Sequence, residues 1–283
     1  MKRTHTALWI LVALFLATWV AAFSFRNELG RRSLETLLNL ENKEIFAGSL
    51  RLETFQIHPN LRIQMGPLRG GIKQQAETVP FEITEIVSEG PITHYFSPEG
   101  LKLNFKGLRL GDSTRSGIRG TTQIRGGKES FLDLRAEVES VGLEELARFN
   151  PENLSGSIGE VKGEVTFRQD AAGNIRLSAK LKVEAPGGVL PSRFFEPLLP
   201  YLPQFAIRRD VRKLIGVRGL VHYRDALLEI HSVESDRVKL FLHVMVPEYN
   251  LDLNLNLEIR VDEKNALPEL AALFGLLQTK AGG

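Results

Sequence analysis

The chain has no cysteine in its 283 residues. It can therefore form neither a disulfide framework nor a thiolate nucleophile or metal ligand, and the absence suits an oxidising compartment without requiring one. Charge of one sign is also missing. Thirty-six Lys and Arg face 34 Asp and Glu, for a formal net charge of +2, which argues against a dedicated nucleic-acid binder and its concentrated basic surface. No G-x-S-x-G elbow, Walker loop or dinucleotide fingerprint is present. Glycine runs such as Gly66 to Gly71 lie between predicted strands, with no following helix to hold a phosphate. The six histidines are His5, His58, His94, His222, His231 and His243. Three of them, His222, His231 and His243, fall on neighbouring predicted strands, but no H-x-x-x-H pair supports a metal site. Lone histidines on the polar faces of strands are the simpler reading. The chain is expected to be no enzyme and to carry no cofactor or metal. Its hydrophobic content of 43% is ordinary for a folded protein.

One uncharged run exists, from Ala7 to Phe23, preceded by Lys2, Arg3 and His5. As a helix it reaches roughly 25 Å, enough for a bilayer core. Trp9 and Trp19 are the only tryptophans, and the second lies near one end, where interfacial rings are favoured. Val20-Ala21-Ala22 leaves a cleaved signal peptide open as an alternative to a retained anchor. Lys2 and Arg3 favour an N-in topology, with the bulk of the chain outside the inner membrane. From Leu29 to Leu40, leucines among Arg31, Arg32 and Glu35 read as an amphipathic helix, lying at a bilayer surface or capping the first strands.

Between Leu251 and Arg260 five aliphatic residues alternate with five polar ones. A strand has a side-chain period of two, so Leu251, Leu253, Leu255, Leu257 and Ile259 share one face. That face covers either a protein core or a lipid. Similar alternation marks Ser49 to Ile57, Leu61 to Met65, Phe81 to Val87, Leu101 to Phe105, Gly120 to Ile124 and Phe131 to Val141. Turn chemistry separates them at Gly66-Pro67, Gly70-Gly71, Gly90-Pro91, Gly126-Gly127 and Gly187-Gly188. Short alternating strands with regular turns predict an all-β, meandering antiparallel architecture.

Two helical interruptions are expected. One is Gly142 to Phe149, ending before Pro151; the other is Pro191 to Gly216, where Pro197, Pro200 and Pro203 forbid a continuous helix. Within the second, Ala206 to Ile215 reads as a helix with Arg208, Arg209, Arg212 and Lys213 around Ile207, Val211, Leu214 and Ile215. Such a basic amphipathic segment fits an anionic headgroup or membrane surface; the simpler reading is a solvated face on a helix that plugs one end of a sheet. There is also an internal echo. Gly163 to Val183 and Gly219 to Val233 each read as glycine, a strand ending in an aromatic, a turn and a second strand.

The segment from Gly219 to Asp236, then Val238 to Val246 and Leu251 to Val261, resembles the C-terminal region of AsmA-like envelope proteins. The N-terminal apolar run followed by Gly48-Ser-Leu-Arg-Leu-Glu-Thr-Phe55 is similar to how that family begins. His243-Val-Met-Val-Pro247 stands where the family often has a glycine, and the short chain is also similar to the smaller GspN-like secretion components. The resemblance implies an N-terminal transmembrane helix followed by an extended, curved, groove-like antiparallel β-sheet with short helical interruptions. The boundaries expected on this basis are an anchor over 1–26, an amphipathic connecting helix over 27–42, and a periplasmic β domain over 43–283 with a helical insert near 190–216. It implies a bacterial inner-membrane, single-pass protein whose main domain is periplasmic and binds phospholipid or another lipid by its acyl chains, in phospholipid transport or envelope homeostasis. Leu240, Leu242, Val244, Leu251, Leu253, Leu255, Leu257 and Ile259 are the groove candidates; Arg208, Arg209, Arg212 and Lys213 are the headgroup or membrane-surface candidates. The alternative is a non-catalytic scaffold or assembly factor of a secretion or envelope complex, with envelope proteins as partners.

Overall fold

A computed structural model describes residues 27–36, 39, 47–73, 78–111, 117–127, 129–172, 174–202, 205–234 and 237–260. A helix over 27–36, α1, leads into short strands β1 (Arg51–Leu52), β2 (Phe55–Ile57), β3 (Ile63–Met65) and β4 (Leu68–Lys73). Longer strands follow: β5 (Thr78–Ser88), β6 (Leu101–Leu110), β7 (Gly117–Arg125) and β8 (Phe131–Gly142). Two one-turn helices, α2 (Leu143–Leu146) and α3 (Pro151–Leu154), precede β9 (Glu160–Gln169) and β10 (Ile175–Val183). Strand β11 (Gly188–Pro191), a 3-10 segment Ser192–Tyr201, helix α4 (Phe205–Gly216) and β12 (Leu220–Tyr223) form an insertion. The chain returns through β13 (Asp225–Glu234), β14 (Arg237–Val246) and β15 (Leu251–Arg260).

Thirteen of these strands make one antiparallel sheet, along the path β1-β4-β5-β6-β7-β8-β9-β10-β13-β14-β15, with β2 and β3 attached beside β5. From β4 to β10 every strand pairs with its sequence neighbour, so the meander read from the turn glycines is the topology. Two steps skip strands: β1 to β4 passes over β2 and β3, and β10 to β13 steps over the insertion, whose strands β11 and β12 pair separately.

The period of two decides the layering. On β14 and β15, Leu240 pairs Leu257, Leu242 pairs Leu255, Val244 pairs Leu253 and Val246 pairs Leu251, all on one face. Phe241, His243 and Met245 oppose Asn256, Asn254 and Asp252 on the other. The apolar face is roofed by the insertion: Phe195, Leu202, Val211 and Leu214 are buried in the same cluster as Val244, Val246, Leu253 and Leu255. Prolines 197 and 200 break the roof into a 3-10 segment before α4 begins, as their missing amide donors require. A second cluster, Leu52, Phe55, Ile63, Leu101 and Leu103 with Leu34 and Tyr95 against it, fills the opposite end.

Helix α1 seals that opposite edge with side chains. The amide of Ile57 donates to Asn27 Oδ1 (3.0 Å), that of Leu52 to Glu35 Oε1 (2.7 Å) and that of Leu50 to Asn39 Oδ1 (2.6 Å), while Arg31 donates to the Leu52 carbonyl (3.2 Å). Backbone groups that a further strand would satisfy are thereby satisfied by polar side chains.

Several expectations are corrected here. Among the described residues no helix is long and apolar enough to cross a membrane. The described residues form a mostly antiparallel β-sheet domain with few short helices, and not an extended groove-like sheet behind a membrane-crossing helix. Residues 1–26, on which the transmembrane expectation rested, lie outside the described residues, as do 37, 38 and 40–42 of the expected connecting helix. Single-pass inner-membrane placement with a periplasmic domain, and a membrane partnership through that helix, accordingly have no support in the fold. The internal echo also resolves differently. Strands β9 and β10 are a hairpin, Phe167 opposite Leu177, but β12 pairs β11 and not β13. Only Arg224 separates β12 from β13, and a single residue is too short for a two-residue hairpin turn.

Candidate anion-binding face

The residues expected to line a lipid groove are core residues. Leu253 is 0% exposed, Leu255 and Val244 1%, and Leu240, Leu242 and Leu251 are also buried. Leu257 is half-buried against the same cluster, and the side chain of Ile259 lies outside the described ones. The row formed by Leu240, Leu242, Val244, Leu251, Leu253 and Leu255 is enclosed beneath the 3-10 segment and α4 of the same chain. Acyl chains have no access to it, and lipid binding along this row, with the phospholipid transport and envelope roles drawn from it, is corrected to packing of a closed core.

The cationic candidates stand on the outside of that roof. Helix α4 buries Val211 and Leu214 completely against β15 and the 3-10 segment. The 3.6-residue period then turns positions 208, 209, 212 and 213 outward. Among the described residues, Arg208, Arg209, Arg212 and Lys213 line a concavity of about 370 Å³. Their spacings are i, i+4 for 208 and 212 and for 209 and 213, which makes them neighbours on the helix surface. The four are not equivalent. Arg208 is committed to the fold: its Nε donates to the Leu202 carbonyl and its Nη2 to that of Pro200 (3.4 Å), tying α4 to the end of the 3-10 segment. Arg209 and Lys213 share one carboxylate, Asp210, at 3.6 and 3.5 Å, with side chains 62% and 65% exposed. Arg212 is exposed and has no carboxylate within 4.0 Å among the described residues. One acid thus sits among four bases.

Insertion of α4 into the headgroup boundary would use an apolar face, whereas a purely electrostatic contact with anionic headgroups would need only its exposed charge. The apolar face of α4 is already consumed by the core, so what remains outside is charge.

The opposite, polar face of the sheet carries a wider depression of about 830 Å³ across β6 to β10, bordered by Lys106, Arg119, Arg135, Lys180, Glu137 and Glu164 among others. Three of its cations pair across strands, Arg119 with Glu137 (2.9 Å) and Glu139 (3.0 Å), Lys180 with Glu229 (2.7 Å) and Lys106 with Glu85 (2.5 Å), while Arg135 and Lys182 pair with Asp133 and Glu184 two residues away. The Lys180 ammonium is held above its usual pKa, and the Glu229 carboxyl below its own, chiefly by their mutual hydrogen bond. These are ion pairs on a solvated face, most of them across strands.

The three strand histidines do not converge. His222 is exposed on the small sheet, His231 Nδ1 lies 2.9 Å from Ser178 Oγ, and His243 sits 3.0 Å from Asp225. No group of three metal-ligating side chains occurs among the described residues. What sequence reasoning missed are contacts made over long separations. The capping of β1 by Asn39, Glu35 and Arg31 spans 11 to 21 residues, and no local pattern announces it. The anchoring of Arg208 on carbonyls six and eight residues back follows only once the prolines are known to turn the chain.

No protein-family model, curated protein or solved structure matches the chain.

Proposed function

We propose that this domain is a non-catalytic recognition module that docks an acidic protein segment on the outer face of α4. The observation that carries the reading is the concavity that, among the described residues, is lined by Arg208, Arg209, Arg212 and Lys213, with Asp210 the one acid between them in sequence. A carboxylate-bearing segment laid along the helix meets Arg212 as an unspent, fork-shaped donor. Arg209 and Lys213 exchange one shared, solvent-screened partner for another at little cost. Arg208 holds the platform on the core. Duplex nucleic acid is less well served, because the patch is one helix long on a chain of net charge +2.

The test is fluorescence anisotropy with a labelled Glu/Asp-rich peptide, a neutral peptide of the same length as control, and duplex DNA and anionic vesicles as competitors. Binding of the acidic peptide should weaken as salt rises. It should fall roughly tenfold or more in the Arg209→Glu, Arg212→Glu, Lys213→Glu triple variant, about 1.4 kcal/mol. Unchanged affinity in that variant, or DNA or vesicles displacing the peptide as well as unlabelled peptide does, overturns the reading.

A further inference from the structure

The two edges of the large sheet are treated differently. At one end β1 is two residues long and its outer backbone is capped by the side chains of α1 and Asn39. At the other end β15 runs ten residues and, among the described residues, pairs only with β14. Natural edges are blunted by proline, lysine, bulges, short length or a covering element. Strand β15 has no proline, glycine or lysine, and its register with β14 is unbroken from Leu251 to Arg260. A long regular edge of this kind is a template for another strand.

We propose that the strand it receives is β15 of a second copy, giving a two-fold symmetric dimer with one continuous sheet. Residues opposite each other in an antiparallel pair lie on the same face, so the aliphatic row of one copy must continue in the row of the other. That leaves registers centred on a single residue of β15. Centring on Leu255 sets Asp252 against the second copy's Glu258, twice, a like-charge pairing that destabilises. Centring on Asn254 runs one end onto Asn250, which has left the strand with φ +46°. Centring on Asn256 pairs residues 252–260 throughout. Leu255 falls opposite the second copy's Leu257, Asn254 opposite its Glu258, and Asp252 opposite its register position 260, an arginine. Asn256 meets itself at the axis. The charges of β15 therefore decide between the two registers that pair nine residues, and an isologous contact of this kind closes on itself.

The dimer does not depend on the acidic-partner reading, but bears on it. Because faces are preserved across the pairing, both α4 helices lie on the same side of the joined sheet, and a partner with two acidic segments gains avidity.

The absence of cysteine gives a register-specific test in the full chain. In Asn256→Cys the two thiols meet at the axis and mild oxidation should yield a cross-linked dimer, since cross-strand Cβ atoms approach to about 4.5–5.5 Å. In Asn254→Cys the thiols sit four residues out of register, roughly 13 Å apart at about 3.3 Å per residue, and should cross-link at least about tenfold more slowly. Sedimentation velocity provides a second readout. Asp252→Arg and Arg260→Asp should each shift the chain toward monomer, and the double variant should restore the dimer. Equal cross-linking at both positions, a monomer at all concentrations, or a dimer indifferent to either single reversal overturns the proposal; circular dichroism confirms that each variant is folded.

Discussion

His243 Nε2 lies 3.0 Å from Asp225 Oδ1, while its other ring nitrogen faces Asn254 Oδ1 at 3.1 Å and Asp252 Oδ1 at 3.3 Å. One imidazole therefore ties together the three strands that carry the C-terminal core. Asp225 is held from its other side by Arg224, at 2.7 Å. The Arg224 hydrogen bond, reinforced by that from His243, keeps the Asp225 carboxyl below its ordinary pKa against a partial burial that pushes it up. A carboxyl depressed in the folded state contributes stability that is present above the unfolded value, about 3.9, and is lost as pH falls through the folded value. Urea unfolding followed from pH 7 to pH 2 should show stability declining below about pH 4. Asp225→Asn should flatten part of that decline. His243→Ala should shrink that decline and end it at higher pH, because Asp225, keeping only Arg224, is less depressed in the folded state while the unfolded value that sets the onset is unchanged. An unchanged acid limb in Asp225→Asn would show that the three-strand tie contributes nothing.

The edge capped by α1 makes a sharper claim about a single oxygen. Glu35 Oε1 accepts from the amide of Leu52, a residue 1% exposed, and also lies 3.2 Å from Arg31 Nη1. Removing the carboxylate leaves a buried amide without its acceptor, which costs roughly 1–3 kcal/mol. Glu35→Ala should lower the urea midpoint accordingly and speed hydrogen exchange at Leu52. Glu35→Gln retains an acceptor and should lose much less. Equal losses in the two variants would place the effect in helix propensity or charge instead.

The row from Leu251 to Leu257 separates a closed core from an open surface by mutation. Leu255→Asp places an unpaired carboxylate beneath α4, where burying a charge is far costlier than the few kcal/mol that hold a domain together. The C-terminal sheet and its roof should lose their cooperative transition, with a matching fall in β signal by circular dichroism. Leu253→Ala, a cavity rather than a charge, should cost about 2–5 kcal/mol. A Leu255→Asp protein with full β signal and wild-type stability would mean that the roof is not seated on this face.

These core positions also mark how far the sequence could be read. The face of Leu251 to Leu257 follows from alternation alone, and the meander from β4 to β10 follows from turn residues such as Gly126-Gly127 set between alternating runs. What covers the face does not follow from them. Alternation says that one side is apolar, and is silent on whether protein or solvent lies against it. The answer comes from Phe195, Leu202, Val211 and Leu214, some 40 to 60 residues upstream; the helical pattern around Val211 and Leu214 allows a plug at one end of a sheet but does not say which strands it covers. The same non-locality misled the reading of Gly219 to Val233, where β12 takes its partner from Gly188–Pro191 and not from the strand one residue away. The basic stripe on α4 was legible because its four cations are near neighbours in sequence. Its detachment from any apolar membrane-facing surface was not, since that depends on Val211 and Leu214 being spent on the core.

One buried group runs against the economy of the rest. Glu145, on the one-turn helix α2, is 3% exposed, and neither of its carboxylate oxygens has a hydrogen-bond partner among the described residues. Its neighbours Val141 and Ala147 are buried as well. A carboxylate taken from water without a compensating donor is a net cost, and an apolar side chain of similar volume recovers it. Glu145→Met should therefore stabilise the domain by about 1–3 kcal/mol, raising the urea midpoint without changing the slope, since the surface exposed on unfolding is nearly the same. Glu145→Gln, which keeps a polar group in the same place, should recover less. If Glu145→Met destabilises instead, the carboxylate is being used for something that folding alone does not explain, and α2 becomes the next place to look for a ligand.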